Sequence, residues 1–201
     1  MVPPGARPDS GVTLARGSTR VKRSRGVSFP AAAVLSYAPP MEVVTIVEIP
    51  RGSRNKYEAD HDTGAIWLDR MLFTATQYPA DYGFIPETLA DDGDPLDVLV
   101  LLDEPTFPGC HIKARVIGVF RMRDEQGGDD KVLCVPATDP RWSHLAELDD
   151  VGPFLLEEIA HFFAVYKQTE PGQSTEPGRW EGREAAIRIV EESFAAFRPS
   201  T

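Results

Sequence analysis

The apolar residues of this chain change their spacing once, and that change separates a strand-forming part from a helix-forming part. Up to Pro136 the chain reads as strand-length segments divided by turn residues: Val43 to Ile49, Lys56 to Glu58, Ala65 to Arg70, Leu96 to Leu102, Ile112 to Met122 and Val132 to Pro136. Val43 to Ile49 is apolar on both faces, with Glu48 set into it. Asp62-Thr63-Gly64 marks a turn, so residues 54 to 70 are expected to form a hairpin with Lys56 and Glu58 on one face and Tyr57 on the other. From Pro153 the period becomes helical. Leu155, Ile159, Phe162, Phe163 and Tyr166 form one stripe, Pro153 suits a first turn, and Glu170-Pro171-Gly172 ends the helix after Lys167. A second helix is expected from about Gly182 to Phe197, burying Ala186, Ile189, Val190, Phe194 and Phe197. Strands first and helices last predict an α+β domain, a small barrel flanked by helices.

Charge divides the chain elsewhere. Residues 1 to 40 carry six basic residues and one acid, net +5, which leaves −15 on the remainder of a chain whose total is −10. The leader is rich in Arg, Ser, Pro and Gly, as transit sequences and disordered tails are. The favoured expectation is that Met41 is the initiator and that residues 1–40 come from an upstream start. A disordered leader that is made is the alternative, and neither gives residues 1–40 any chemistry. Residues 41–201 are then the functional domain. No stretch approaches the roughly 20 apolar residues that span a bilayer. Cys110 and Cys134 stand outside any C-x-x-C pair and read as buried reduced thiols, which suits the cytoplasm.

Asp92-Gly93-Asp94-Pro95-Leu96-Asp97 packs three carboxylates into one turn ahead of an apolar run. Two like charges about 4 Å apart repel by about 4 kcal/mol at an effective dielectric of about 20, so such a cluster either takes up protons or binds cations. All-oxygen ligands favour hard divalent ions. An EF-hand loop is excluded, because Asp97 stands where the loop needs Gly and Asp103 where it needs Glu. A second acidic turn, Asp124 to Lys131, lies between two strands, and turns at strand ends can converge on one site. Glu48 adds an acid that is costly in an apolar strand unless it is paired, bound to a cation or turned to water. Lys56, Arg70, Lys131 and Lys167 supply the cationic half. Acids, divalent metals and basic side chains together make a phosphoryl-transfer pocket.

Several segments, in this order, resemble the soluble family I inorganic pyrophosphatases, most closely the bacterial, actinobacterial-like branch. They are Val47-Glu48-Ile49-Pro50, Asn55-Lys56-Tyr57-Glu58, Leu68-Asp69-Arg70, Tyr78 to Ile85, Asp91 to Val100, Asp124-Glu125, Asp129-Asp130-Lys131 and His161 to Lys167, and the match covers about residues 41 to 198. The resemblance implies a five-stranded OB-like β-barrel with accessory strands and two main C-terminal helices. It implies Mg2+-dependent hydrolysis of pyrophosphate to two orthophosphates, with several Mg2+ per site and Mn2+ or Zn2+ as substitutes. By the same resemblance, Glu48, Asp92, Asp94, Asp97, Asp124 and Asp129 are the metal ligands, and Lys56, Arg70, Tyr78, Lys131, Tyr166 and Lys167 hold substrate. Asp94, Tyr82 and Glu58 are the catalytic set, with Asp94 as general base, while Glu125 is a site acid without an assigned role. Bacterial members are homohexamers, which implies a subunit contact near His161.

The alternatives are a metal-dependent hydrolase of a larger phosphoanhydride and a non-catalytic divalent-ion-binding module. The second leaves the Lys, Arg and Tyr set without a purpose. A nucleic-acid-binding OB domain needs a basic groove, and net −15 argues against it.

Overall fold

The computed structural model describes residues 40–124, 127–171, 175, 176 and 178–197. The expected leader, residues 1–40, lies outside the described residues except for Pro40. Eight strands and two α-helices follow in order: β1 (Glu42–Ile49), β2 (Asn55–Ala59), β3 (Ile66–Met71), β4 (Asp81–Phe84), β5 (Asp97–Val100), β6 (His111–Arg121), β7 (Lys131–Pro136), α1 (Pro153–Val165), β8 (Arg179–Gly182) and α2 (Arg183–Ala196).

Five strands close into a barrel in the order β1-β4-β5-β7-β6, because the long β6 pairs with β1 through residues 111–115 and with β7 through residues 114–120. The β5–β7 pair is parallel and the rest are antiparallel, and β8 extends the sheet beyond β6. The hairpin β2–β3 is a separate two-stranded sheet. This is the expected OB-like barrel with accessory strands and two C-terminal helices.

Two of the strands carry no periodic signal. β4 is Asp-Tyr-Gly-Phe and β8 is Arg-Trp-Glu-Gly, each four residues long, so neither contains an alternation to detect. β1, expected to be apolar on both faces, instead alternates, with Val43, Thr45, Val47 and Ile49 buried and Val44 43% exposed. The stripe on α1 is confirmed: Ile159, Phe162, Phe163 and Tyr166 are buried and Leu155 packs at its edge. On α2 the inward residues are Ala186, Val190 and Ser193, whereas the expected Phe194 and Phe197 are 39% and 46% exposed. Phe194 lies one residue round the helix from that stripe, and Phe197 caps its end. Cys134 is buried as expected; Cys110, just ahead of β6, is only half-buried, and both are free thiols.

Gly83 in β4 stands opposite Val47, and a Cβ there would lie 1.9 Å from the Ile46 carbonyl oxygen and 2.9 Å from the Val47 Cα. Backbone cannot yield as a side-chain tip can, so Gly83→Ala is expected to cost about 3 kcal/mol or more. The urea midpoint of the variant checks this, and an unchanged midpoint would contradict the close β1–β4 approach.

Candidate active site

The barrel brings both acidic turns to one rim. Leu96 is 1% exposed and anchors the first turn, while the buried Thr88 hydroxyl accepts the Leu96 N–H at 2.9 Å and donates to the Ile85 carbonyl. Gly93 takes a φ of +95°, a left-handed turn that lets the Ala90 N–H reach the Asp94 carbonyl at 2.8 Å. The second turn closes between Asp124 N–H and the Gly127 carbonyl at 3.0 Å. The two turns pack together, since a Cβ on Gly128 would meet an Asp91 carboxylate oxygen at 3.3 Å.

A cleft of about 420 Å3 opens at this rim. Glu48, Lys56, Glu58, Arg70, Tyr82, Asp92, Asp94, Asp97, Asp124, Asp129, Tyr166 and Lys167 all line it. Among the described residues, Tyr78 and Lys131 are the expected site members that do not. Tyr78 is 2% exposed and packs behind the wall, against Tyr82 and Phe162 with ring centroids 5.3 and 4.8 Å away. Lys131, 1% exposed, lies under the floor and meets the cleft through Asp97 and Asp129. Its depth follows from register, because the parallel pairing sets Lys131 beside Asp97 at the starts of β7 and β5. Glu125 lies outside the described residues.

Two bulges aim side chains at the cleft. The β1–β4 register shifts between Val47 and Ile49, at Glu48, whose carboxylate accepts the Ala59 N–H at 2.7 Å. The β2–β3 register shifts between Lys56 and Tyr57, and Tyr57 joins Lys56 and Glu58 on the cleft instead of facing away. His61, exposed at the rim, packs edge-on against Phe84.

Each cationic side chain holds a carboxylate. The Lys131 ammonium lies 2.7 Å from Asp97 and 2.5 Å from Asp129, and Lys167 lies 2.9 Å from Asp124. Lys56 pairs with Glu58, and Arg70 pairs with Asp69 and with Glu170, the last at 2.7 Å. Burial alone would lower the Lys131 pKa, but Asp97 and Asp129 hold it well above the ordinary lysine value. One ammonium shared by two carboxylates leaves an excess of negative charge. Burial pushes Asp97 up to about 6 despite Lys131. The Tyr82 hydroxyl, kept protonated by burial and by Asp97, donates to that carboxylate. Asp92 is raised by burial and by the neighbouring Asp94 and Asp129.

Glu48 is pushed up to about 7, chiefly by burial, with Asp97 adding to the shift and the Ala59 N–H opposing it. The folded chain therefore keeps a proton that the unfolded chain loses near pH 4.5, and stability present below that pH is lost as pH rises to about 7. The loss is at most about 3 kcal/mol. In chelator, Glu48→Gln is expected to raise Tm at pH 8 and to leave it unchanged at pH 4; no rise at pH 8 would contradict a carboxylate whose charge the fold disfavours.

These donors fit hard divalent cations. They are all carboxylate oxygens and they crowd one cleft, where burial, with neighbouring acids adding to it, raises Glu48 and Asp97. No three of them converge on a single point among the described residues; the ammonium groups stand between them.

Two residues were missed as site members. Asp69 bonds both Lys56 and Arg70, yet on a half-exposed strand it looks like any surface acid. Glu170 follows α1, where the sequence signals only a helix stop.

A closed OB-like barrel with carboxylates and cationic groups gathered at one rim has the make-up of a phosphoryl-transfer site. The sequence model of the inorganic pyrophosphatase family matches residues 45–198. An inorganic pyrophosphatase of Streptomyces coelicolor is 60% identical over 158 residues, covering 79% of this chain and 97% of the relative. One of Leifsonia xyli is 55% identical over 150 residues, covering 75% and 92%. The crystal structure of the Thermus thermophilus inorganic pyrophosphatase superposes with a TM-score of 0.76 at 45% identity, covering 85% of this chain and 97% of that one. The chain belongs to the inorganic pyrophosphatase family and is by that membership an inorganic diphosphatase.

Proposed function

We propose that residues 41–201 hydrolyse inorganic pyrophosphate to two orthophosphates with Mg2+ as the working cation, several ions per site, and Mn2+ or Zn2+ as substitutes. The observation that carries this reading is the meeting of two acidic turns and four cationic side chains on one cleft.

Asp92, Asp94, Asp97, Asp124 and Asp129, with Glu48 beside them, would hold the cations, which when bound neutralise the substrate and acidify the attacking water. With those carboxylates holding cations, Lys131 and Lys167, now paired with Asp97, Asp129 and Asp124, would be able to turn their donors to phosphate oxygens. Lys56, Arg70 and Tyr166 hold the same substrate from the hairpin and from the end of α1. Water adds to one phosphorus as its bond to the bridging oxygen breaks. Asp94 takes the proton, and the departing orthophosphate keeps the bridging oxygen and its electron pair. Lys167 and Tyr166 stabilise that growing charge. Tyr82 orients Asp97 through its hydroxyl, Tyr78 backs Tyr82 from behind the wall, and Glu58 tethers Lys56.

Exposed Trp67, Leu68, Met71 and Phe73 on and after β3, and Phe154 and His161 on α1, support assembly into a homohexamer. The free thiols fit a cytoplasmic enzyme. Among the described residues no helix is long and apolar enough to cross a membrane. Residues 1–40 take no part.

A comparison of pyrophosphate, tripolyphosphate and ATP in Mg2+ tests the substrate. Pyrophosphate alone should turn over rapidly; equal rates on the longer chains would favour a hydrolase of larger phosphoanhydrides.

A further inference from the structure

The hairpin β2–β3 carries Lys56, Glu58 and Arg70 but shares no strand pairing with the barrel. Something must fix it if those groups are to meet a small anion at defined positions. The Ala59 N–H to Glu48 bond ties one end of β2 to β1, and two bonds from the segment after α1 hold the end that carries Arg70. The Thr169 hydroxyl donates to the Phe73 carbonyl at 2.8 Å, and Arg70 Nη2 donates to Glu170 Oε2 at 2.7 Å, across 100 positions of sequence. The Glu170 side chain is only 5% exposed, and its N–H is bonded to the carbonyl of Lys167, itself a cleft residue. The Asp69 carboxylate, which also holds Arg70, is 29% exposed and correspondingly weaker.

The atoms without partners are informative. Arg70 Nε and Glu170 Oε1 are both buried and both unpaired, and they belong to the two members of one ion pair. A guanidinium presents its Nε–Nη2 edge to a carboxylate as a fork, and turning into that fork would satisfy both atoms at once. Nη1, now bonded to Asp69, would then be the edge left for an incoming oxyanion.

We propose that Glu170 is a positioning residue: it grips the Nε–Nη2 edge of Arg70, latches the hairpin to the end of α1, and presents Nη1 to the substrate phosphate. This rests on the proposed pyrophosphate hydrolysis for the identity of the anion. Because the latch acts on Arg70 before and during reaction alike, its loss should weaken uniform binding and leave kcat almost unchanged.

The test is a double-mutant cycle on the full chain with Glu170→Gln and Arg70→Lys, since a lysine cannot be held by its edge. It is read on KM for pyrophosphate, on kcat, and on Kd for methylenediphosphonate, whose P–C–P bridge does not hydrolyse. Glu170→Gln should raise KM and Kd about tenfold, with kcat within about threefold, and should add less than about twofold in the Arg70→Lys background. The same cycle with Glu170→Asp, which keeps the charge at shorter reach, should give a smaller rise and serves if the neutral variant does not fold. Unchanged KM and Kd, or an equal rise in both backgrounds, overturns the latch. If the unmodified chain binds the diphosphonate but does not hydrolyse pyrophosphate, the proposed function fails, and the cycle on Kd still decides the role of Glu170.

Discussion

Replacing Asp94 by Asn is expected to slow pyrophosphate hydrolysis by about 10²- to 10⁴-fold, the contribution of a positioned general base, with Tm unchanged. The stability half of this expectation comes from geometry. Asp94 is exposed on the cleft, its backbone carbonyl closes the turn by accepting the Ala90 N–H, and its N–H donates to Asp92. Its carboxylate makes no hydrogen bond among the described residues, so an amide of the same shape disturbs nothing the fold uses. The activity half comes from chemistry, because an amide cannot take the proton that the attacking water must lose. Initial rates and thermal melts on the same preparation check both. Undiminished turnover would remove Asp94 from the base role, and a large fall in Tm would show that the turn depends on its side chain.

Lys131→Met should have the largest effect on stability. The ammonium is almost wholly buried between Asp97 and Asp129, over the rings of Tyr82 and Phe163 at 5.5 and 5.2 Å. Methionine fills a similar volume and leaves two half-buried carboxylates with no cation. Breaking a buried pair by removing one partner costs about 3–5 kcal/mol, a fall in Tm of roughly 10 °C for a domain of this size. The sign with pH is fixed by the carboxylates. Asp97 is already raised to about 6 with Lys131 present and rises further without it, so the deficit should be large at pH 8 and should shrink at pH 5, where protonation removes the repulsion. Melts at the two pH values in chelator check this, and an equal deficit at both would mean that packing, not charge, is what Lys131 provides.

What could be read from the sequence was what depends on local spacing. The acidic turns ahead of β5 and β7, the stripe on α1 and the hairpin around Gly64 all follow from neighbours within a few residues, and the structure places them as expected. Features that arise only when distant segments meet were not readable. Four-residue strands such as β4 and β8 exist because adjacent strands offer them partners. The bulges at Glu48 and at Lys56–Tyr57 turn side chains to the cleft without altering the apolar pattern. How deep Lys131 and Tyr78 would sit was not readable either, because depth is a tertiary property, and both are buried behind the cleft lining. Glu170 was hidden most completely, because its partner Arg70 is 100 positions away.

Orthophosphate release from pyrophosphate by the purified chain, with Mg2+ supplied and then chelated, tests the central claim most directly. Rapid release that stops on chelation and returns with Mg2+ is the predicted result. No release from a folded protein in Mg2+, or release that chelation does not touch, would contradict it.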